Sequence, residues 1–111
     1  MDRIDEYCQI IKSILNRYAQ FSNGSDSIKN IVIASQDQNH FLLLNEGWQN
    51  QKHIHNCLFH CEIKTDKIWI YFDGFEDTIT ETLIASGIPQ EQIVVAFHPP
   101  YIRAKTQFAV A

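Results

Sequence analysis

The run Lys67-Ile68-Trp69-Ile70-Tyr71-Phe72-Asp73-Gly74 decides the fold, together with the residues directly after it. β-Branched and aromatic residues fill it, and Asp73-Gly74 stops it, which is how a strand and its closing turn read. Thr78-Ile79-Thr80-Glu81 then fits a capping box, with Thr78 as the cap and Glu81 reaching back. Ile79, Leu83 and Ile84 give the helix an apolar side. Gly87 suits the residue that closes a helix, and Pro89 prevents its continuation. Pro89-Gln90-Glu91-Gln92 reads as one short turn of helix. Ile93-Val94-Val95-Ala96-Phe97 reads as a buried strand broken by His98-Pro99-Pro100. Phe108 and Val110 are too apolar for an idle tail and are expected to pack back on the domain.

Upstream, Ile4, Tyr7, Cys8, Ile11, Ile14, Leu15, Tyr18 and Phe21 recur at three- and four-residue steps. That is the period of a helix with one buried stripe. Asp2 can cap it, while Asp5 and Glu6 suit the positive end of its dipole. Residues 22–27, Ser-Asn-Gly-Ser-Asp-Ser, read as an intradomain loop. Residues 28–35, 40–48 and 53–64 come next as strand-like runs joined by short polar turns at 36–39, 49–52 and 65–67. The expected architecture is α+β. A mainly antiparallel β-sheet, a meander, is covered by a long N-terminal helix and a shorter second helix. All 111 residues form one domain.

Alternation within residues 53–64 puts His55, Cys57, Phe59, Cys61 and Ile63 on the core side and Ile54, Asn56, Leu58, His60 and Glu62 on the other. The second face is expected to be only partly polar. Trp48, Tyr71 and Phe75 would still leave aromatic surface, which is often a contact site.

Apolar residues make up 45% of the chain and charged residues 20%, as in ordinary globular domains. No apolar run approaches the ~20 residues needed to span a bilayer. The acidic start at residues 1–6 does not read as a signal peptide, and three cysteines, an odd number, suit free thiols. A cytoplasmic location is expected. Net charge is −4, with nine Lys+Arg scattered along the chain. That argues against a domain that grips duplex DNA through an overall basic surface.

Reactive constellations are sparse. His53, His55, Cys57 and Cys61 would share one strand face, and two histidines two residues apart can converge on zinc. Four ligands along one strand cannot all reach one ion, so no metal and no cofactor is expected. His60 and Cys61 are adjacent, but alternation sends them to opposite faces, which defeats a thiol–imidazole pair. Glu76-Asp77 sits where acidic residues favour a helix start. The four glycines stand alone at turns and form no phosphate-binding pattern. An enzyme is not expected. His98, Pro99, Tyr101 and Arg103 are the candidate partner-binding residues: the prolines stiffen the segment, and Tyr and Arg are common hot-spot types. The competing reading is a rigid turn that positions the tail.

Several pieces, in order, resemble the XisI family of fdxN element excision controlling factors. They are Tyr7, Ile11, Ile14-Leu15 and Tyr18-Ala19; Asp37, His40, Leu43-Leu44 and Gly47-Trp48; Ile63-Lys64, Lys67-Ile68-Trp69-Ile70 and Asp73-Gly74; and Gly87-Ile88-Pro89, Ile93-Val94, Phe97-His98-Pro99, Arg103, Thr106 and Phe108-Ala109-Val110-Ala111. Phe75 departs from the family pattern, where a threonine is more usual, and so does the histidine-rich segment 53–55. The resemblance implies an accessory factor in programmed, site-specific DNA excision, acting beside a recombinase complex and with an XisH-like partner protein. Direct DNA contact within an excision complex, a small metal-dependent enzyme and self-association stay open as alternatives.

Overall fold

The structure is a computed structural model, described here for residues 3–20, 27–75, 78–106, 108–109 and 111. The expectations for Asp2, Phe21, residues 22–26, Glu76-Asp77 and Val110 lie outside the described residues. The elements are α1 (Arg3–Ala19), β1 (Ile28–Ala34), β2 (His40–Gln49), β3 (Lys52–Lys64), β4 (Lys67–Asp73), α2 (Ile79–Ala85), a 3-10 turn (Gln90–Gln92), β5 (Ile93–Val95) and α3 (Pro100–Arg103).

All five strands form one sheet in the order β1-β2-β3-β4-β5. The first four pair antiparallel, as the meander reading requires, and β5 pairs parallel to β4. A parallel neighbour needs a crossover, which α2 and the 3-10 turn provide. The fifth strand ends at Val95 rather than at Phe97, which is 48% exposed. The tail then adds a bridge: Ala109 pairs with Val94, and its N–H donates to the Ile93 carbonyl at 2.8 Å.

The hairpins are held by local chemistry. Asn50 and Gln51 both have positive φ (52° and 67°), as do Thr65 and Asp66 (53° and 61°). Two-residue hairpin turns of type I′ require that conformation at both central positions. Between β1 and β2, the Ser35 hydroxyl donates to Asp37 Oδ1 at 2.6 Å and accepts from the His40 N–H at 2.9 Å. The Asn39 N–H also reaches Asp37, so these bonds hold the Asp37 carboxyl below its usual range.

Helix α1 lays Tyr7, Ile11, Ile14 and Leu15 on one sheet face, where they meet Phe41, Leu43, Phe59, Cys61, Ile68 and Ile70. Ile79 and Leu83 of α2 join the same core. The end of α2 is a Schellman cap: Gly87 (φ 106°) donates to the Ile84 carbonyl and Ile88 to the Leu83 carbonyl.

Two irregularities shift side chains between faces, and the one in β3 corrects its expected alternation. Leu43 pairs with Phe59 but Leu44 pairs with Cys57, leaving Leu58 as an extra residue. His60 pairs with Phe72 but Cys61 with Ile70, leaving Tyr71 extra on β4. Each is a β-bulge, which shifts the alternation by one residue. His55 and Cys57 therefore leave the core side and are exposed, while Phe59, Cys61 and Ile63 stay buried.

Candidate functional site: the open face of the sheet

With α1 and α2 on one face, the opposite face of the sheet is the candidate site. Its register comes from the pairing: Ile31 lies beside Leu44, Ile33 beside Leu42, and Glu46 beside His55. Ile31 and Ile33 are 38% and 40% exposed, and Phe72 and Trp48 are 47% and 58% exposed. Apolar and aromatic side chains on a solvated sheet face mark a contact surface more than an ordinary exterior.

A polar chain crosses the middle of this face. His60 Nε2 and His40 Nδ1 lie 3.1 Å apart, and His40 Nε2 lies 3.3 Å from the Glu62 carboxylate. The Tyr71 hydroxyl donates to the other Glu62 oxygen at 2.6 Å. Burial is the main cause that holds His60 below the usual histidine range, and the charge of His40 adds to it. Burial also pushes Tyr71 up to about 12, helped by its hydrogen bond to Glu62 and by that carboxylate's charge. Near the β2–β3 turn, His53 Nε2 lies 2.9 Å from Glu46, and its ring stacks beside Trp48 at 4.8 Å.

The expected metal-like group does not gather. The bulge at Leu58 keeps His53, His55 and Cys57 on the open face and sends Cys61 into the core. Among the described residues, no three His, Cys, Asp or Glu side chains are arranged to hold a metal ion. His60 and Cys61 point to opposite faces, and burial pushes the Cys61 thiol far up. The result is an inert, buried thiol.

The expected partner-binding residues lie along the C-terminal segment, and one of them, Arg103, reaches this face. His98 is half-buried, packs on Phe97 at 4.7 Å, and lines a cleft of about 200 Å³ with Asp73, Thr80 and Phe108. Pro99 is exposed and precedes α3, and Tyr101 on that helix is 68% exposed. Arg103 brings its guanidinium to 5.9 Å from the Trp69 ring, so the C-terminal segment meets the open face at β4. The sequence reading missed the polar chain and the isoleucines of β1. The chain depends on which residues of β2, β3 and β4 come together across two bulges, and one-strand alternation carries no sign of that.

The comparisons agree with this fold. The family model described as "XisI protein" matches residues 1–110. The chain belongs to the XisI family. Among solved structures, it is similar to an XisI-like protein from Anabaena variabilis ATCC 29413 at 30% identity. That match covers 99% of this chain and 100% of the other, with a TM-score of 0.89. A second structure, the fdxN element excision controlling factor XisI of the same organism, is 29% identical. It covers the same shares of both chains, with a TM-score of 0.81. No curated protein matches the sequence.

Residues that carried the XisI resemblance now have physical roles. Gly47 lets the start of β1 approach: a Cβ there would lie 1.9 Å from the Ser27 carbonyl oxygen. Gly87 closes α2. Phe75, the departure from the family pattern, packs edge-on against Tyr18 at 5.1 Å and against the core. The cap of α2 passes instead to Thr78, whose hydroxyl accepts from the Glu81 N–H, and to Asp73.

Proposed function

We propose that this XisI-family domain is a non-catalytic accessory factor in the excision of a DNA element, acting in the cytoplasm. It works by docking a partner protein on the open sheet face. The role of one relative, named an fdxN element excision controlling factor, supports the excision role. The observation that carries the docking is the exposed row of Ile31 and Ile33 beside Leu42 and Leu44, continued by Phe72. Such a row stays in water only at a free-energy cost of about 25 cal/mol per Å² of apolar surface, which a partner relieves. An XisH-like protein, within or beside a recombinase complex, is the partner this reading favours. Tyr101 and Arg103, with His98 and Pro99 behind them, form the border of the docking surface.

Pull-down of a purified XisH-like protein by this domain tests it. A complex should form at micromolar concentration. Ile31→Lys with Ile33→Lys should weaken it by at least about 2 kcal/mol, and Tyr101→Ala or Arg103→Ala by about 1 kcal/mol or more. Absence of a complex at micromolar concentration would overturn the docking.

A further inference from the structure

We propose that the corner of the open face built around Trp69 contacts the phosphate backbone of DNA. This rests on the reading of the domain as an excision factor, but not on the docking of a protein. Lys64 places its ammonium 4.1 Å from the Trp69 ring centroid, and Arg103 approaches the same ring. The indole N–H donates to the Lys64 carbonyl at 3.0 Å, which fixes the ring. Lys67 pairs with Lys64 across the Thr65-Asp66 turn, and Lys105 comes shortly after Arg103, past the end of α3. Cation–π contact holds the Lys64 ammonium in place while leaving its charge to a second partner.

The ion pairs among the described residues are His40–Glu62 and His53–Glu46, so no carboxylate among them pairs with Lys64, Lys67 or Lys105. Among the described residues, the corner carries four of the nine basic side chains against two acidic ones, Glu62 and Asp66; the other five basic residues stand against seven acidic ones. Glu62 is already engaged by His40 and Tyr71. The domain is therefore electrically lopsided, and that field steers a polyanion to this corner and away from the rest. Lys64 and Lys105 are exposed and Lys67 and Arg103 are half-buried, and Lys and Arg are the residue types that bind phosphates. An acidic average excludes an overall basic grip but not a local one of few contacts.

Fluorescence anisotropy with the full chain and a duplex of about 20 base pairs, at about 50 and about 200 mM salt, tests this. A poly-glutamate peptide serves as the competing probe. Duplex binding at low salt is expected. The slope of log affinity on log salt should lie between about −2 and −4, at about −0.9 per phosphate. Lys64→Glu with Lys67→Glu should lose binding about tenfold or more, and so should Lys105→Glu, which leaves Trp69 untouched. Lys29→Glu with Lys52→Glu makes the same charge change elsewhere and should retain binding. No duplex binding at low salt, equal loss in the two double variants, or tighter binding of poly-glutamate would each overturn the proposal. Partner pull-down by Lys64→Glu/Lys67→Glu reads the docking separately.

Discussion

Asp73, the last residue of β4, holds the first turn of α2. Its Oδ2 accepts from the Thr80 N–H at 2.9 Å and from the Thr80 hydroxyl at 2.8 Å, and its Oδ1 from the Ile79 N–H at 3.3 Å. Thr80 is buried, so those donors have no water to fall back on. Asp73→Ala should cost about 2–3 kcal/mol in urea unfolding, and Asp73→Asn less, because the amide oxygen still accepts. Thr78→Ala removes one exposed cap bond and should cost about 1 kcal/mol.

Gly47 permits a close crossing of backbone. The Trp48 N–H donates to the Ser27 carbonyl at 3.2 Å, and the Ser27 hydroxyl donates to the Trp48 carbonyl at 2.6 Å. A methyl group at Gly47 would meet backbone, which cannot turn aside as a side chain can. Gly47→Ala should destabilise the fold by about 2 kcal/mol or more. Protection of the Trp48 amide in hydrogen exchange should fall with it.

Thr65 sits at φ 53°, a conformation that is costly for a β-branched residue. Its hydroxyl reaches only the carbonyl of Lys64. Thr65→Asn with Asp66→Gly supplies the residues that this hairpin turn prefers. The double variant should raise stability by about 1 kcal/mol, seen as a higher urea midpoint with an unchanged slope.

How far the fold could be read in advance depended on the range of the signal. The stripe Tyr7, Ile11, Ile14 and Leu15 is a local periodicity, and all four residues are buried. Thr78 and Gly87 act within one helix turn, and both cap α2 as their residue types require. The bulges at Leu58 and Tyr71 exist only because two strands of unequal count must pair, which neither strand records alone. The polar chain from His60 to Tyr71 inherits that blindness, as does the reach of Arg103 to Trp69. The cap from Asp73 was hidden for a related reason: Asp-Gly reads as a strand stop, and nothing local says that its carboxylate turns to the next helix.

The slipped alternation of β3 has a chemical consequence. Cys57 is exposed, Cys8 is half-buried with its thiol 3.6 Å from the Gln38 carbonyl, and Cys61 is sealed in the core. A disulfide-exchange reagent should therefore modify one thiol quickly in the native protein. Cys57→Ser should remove that fast phase, and all three thiols should react after unfolding. Fast modification of Cys61 instead would mean that β3 keeps the regular alternation.

Stability should fall on the acid side because of the open face itself. Folding depresses the pKa of His60, so the unfolded chain takes up that proton first, near the ordinary value of about 6.5. The contribution is fully present above that value and is lost as pH falls through it towards the folded value. The geometry agrees: the His60 and His40 rings approach to 3.1 Å, where positive charge on both would repel. Tyr71 acts with the opposite sign. Its pKa is raised to about 12, so its contribution is present below the ordinary value of about 10 and is lost as pH rises through 10 towards 12. Urea unfolding at about pH 8, 6.5 and 5 measures the first effect. His60→Gln should flatten the acid limb of the profile and leave the alkaline limb unchanged. Tyr71→Phe should do the reverse, and should also delete a late-ionising tyrosine from an ultraviolet titration. An acid limb that survives His60→Gln intact would place the proton uptake elsewhere in the fold.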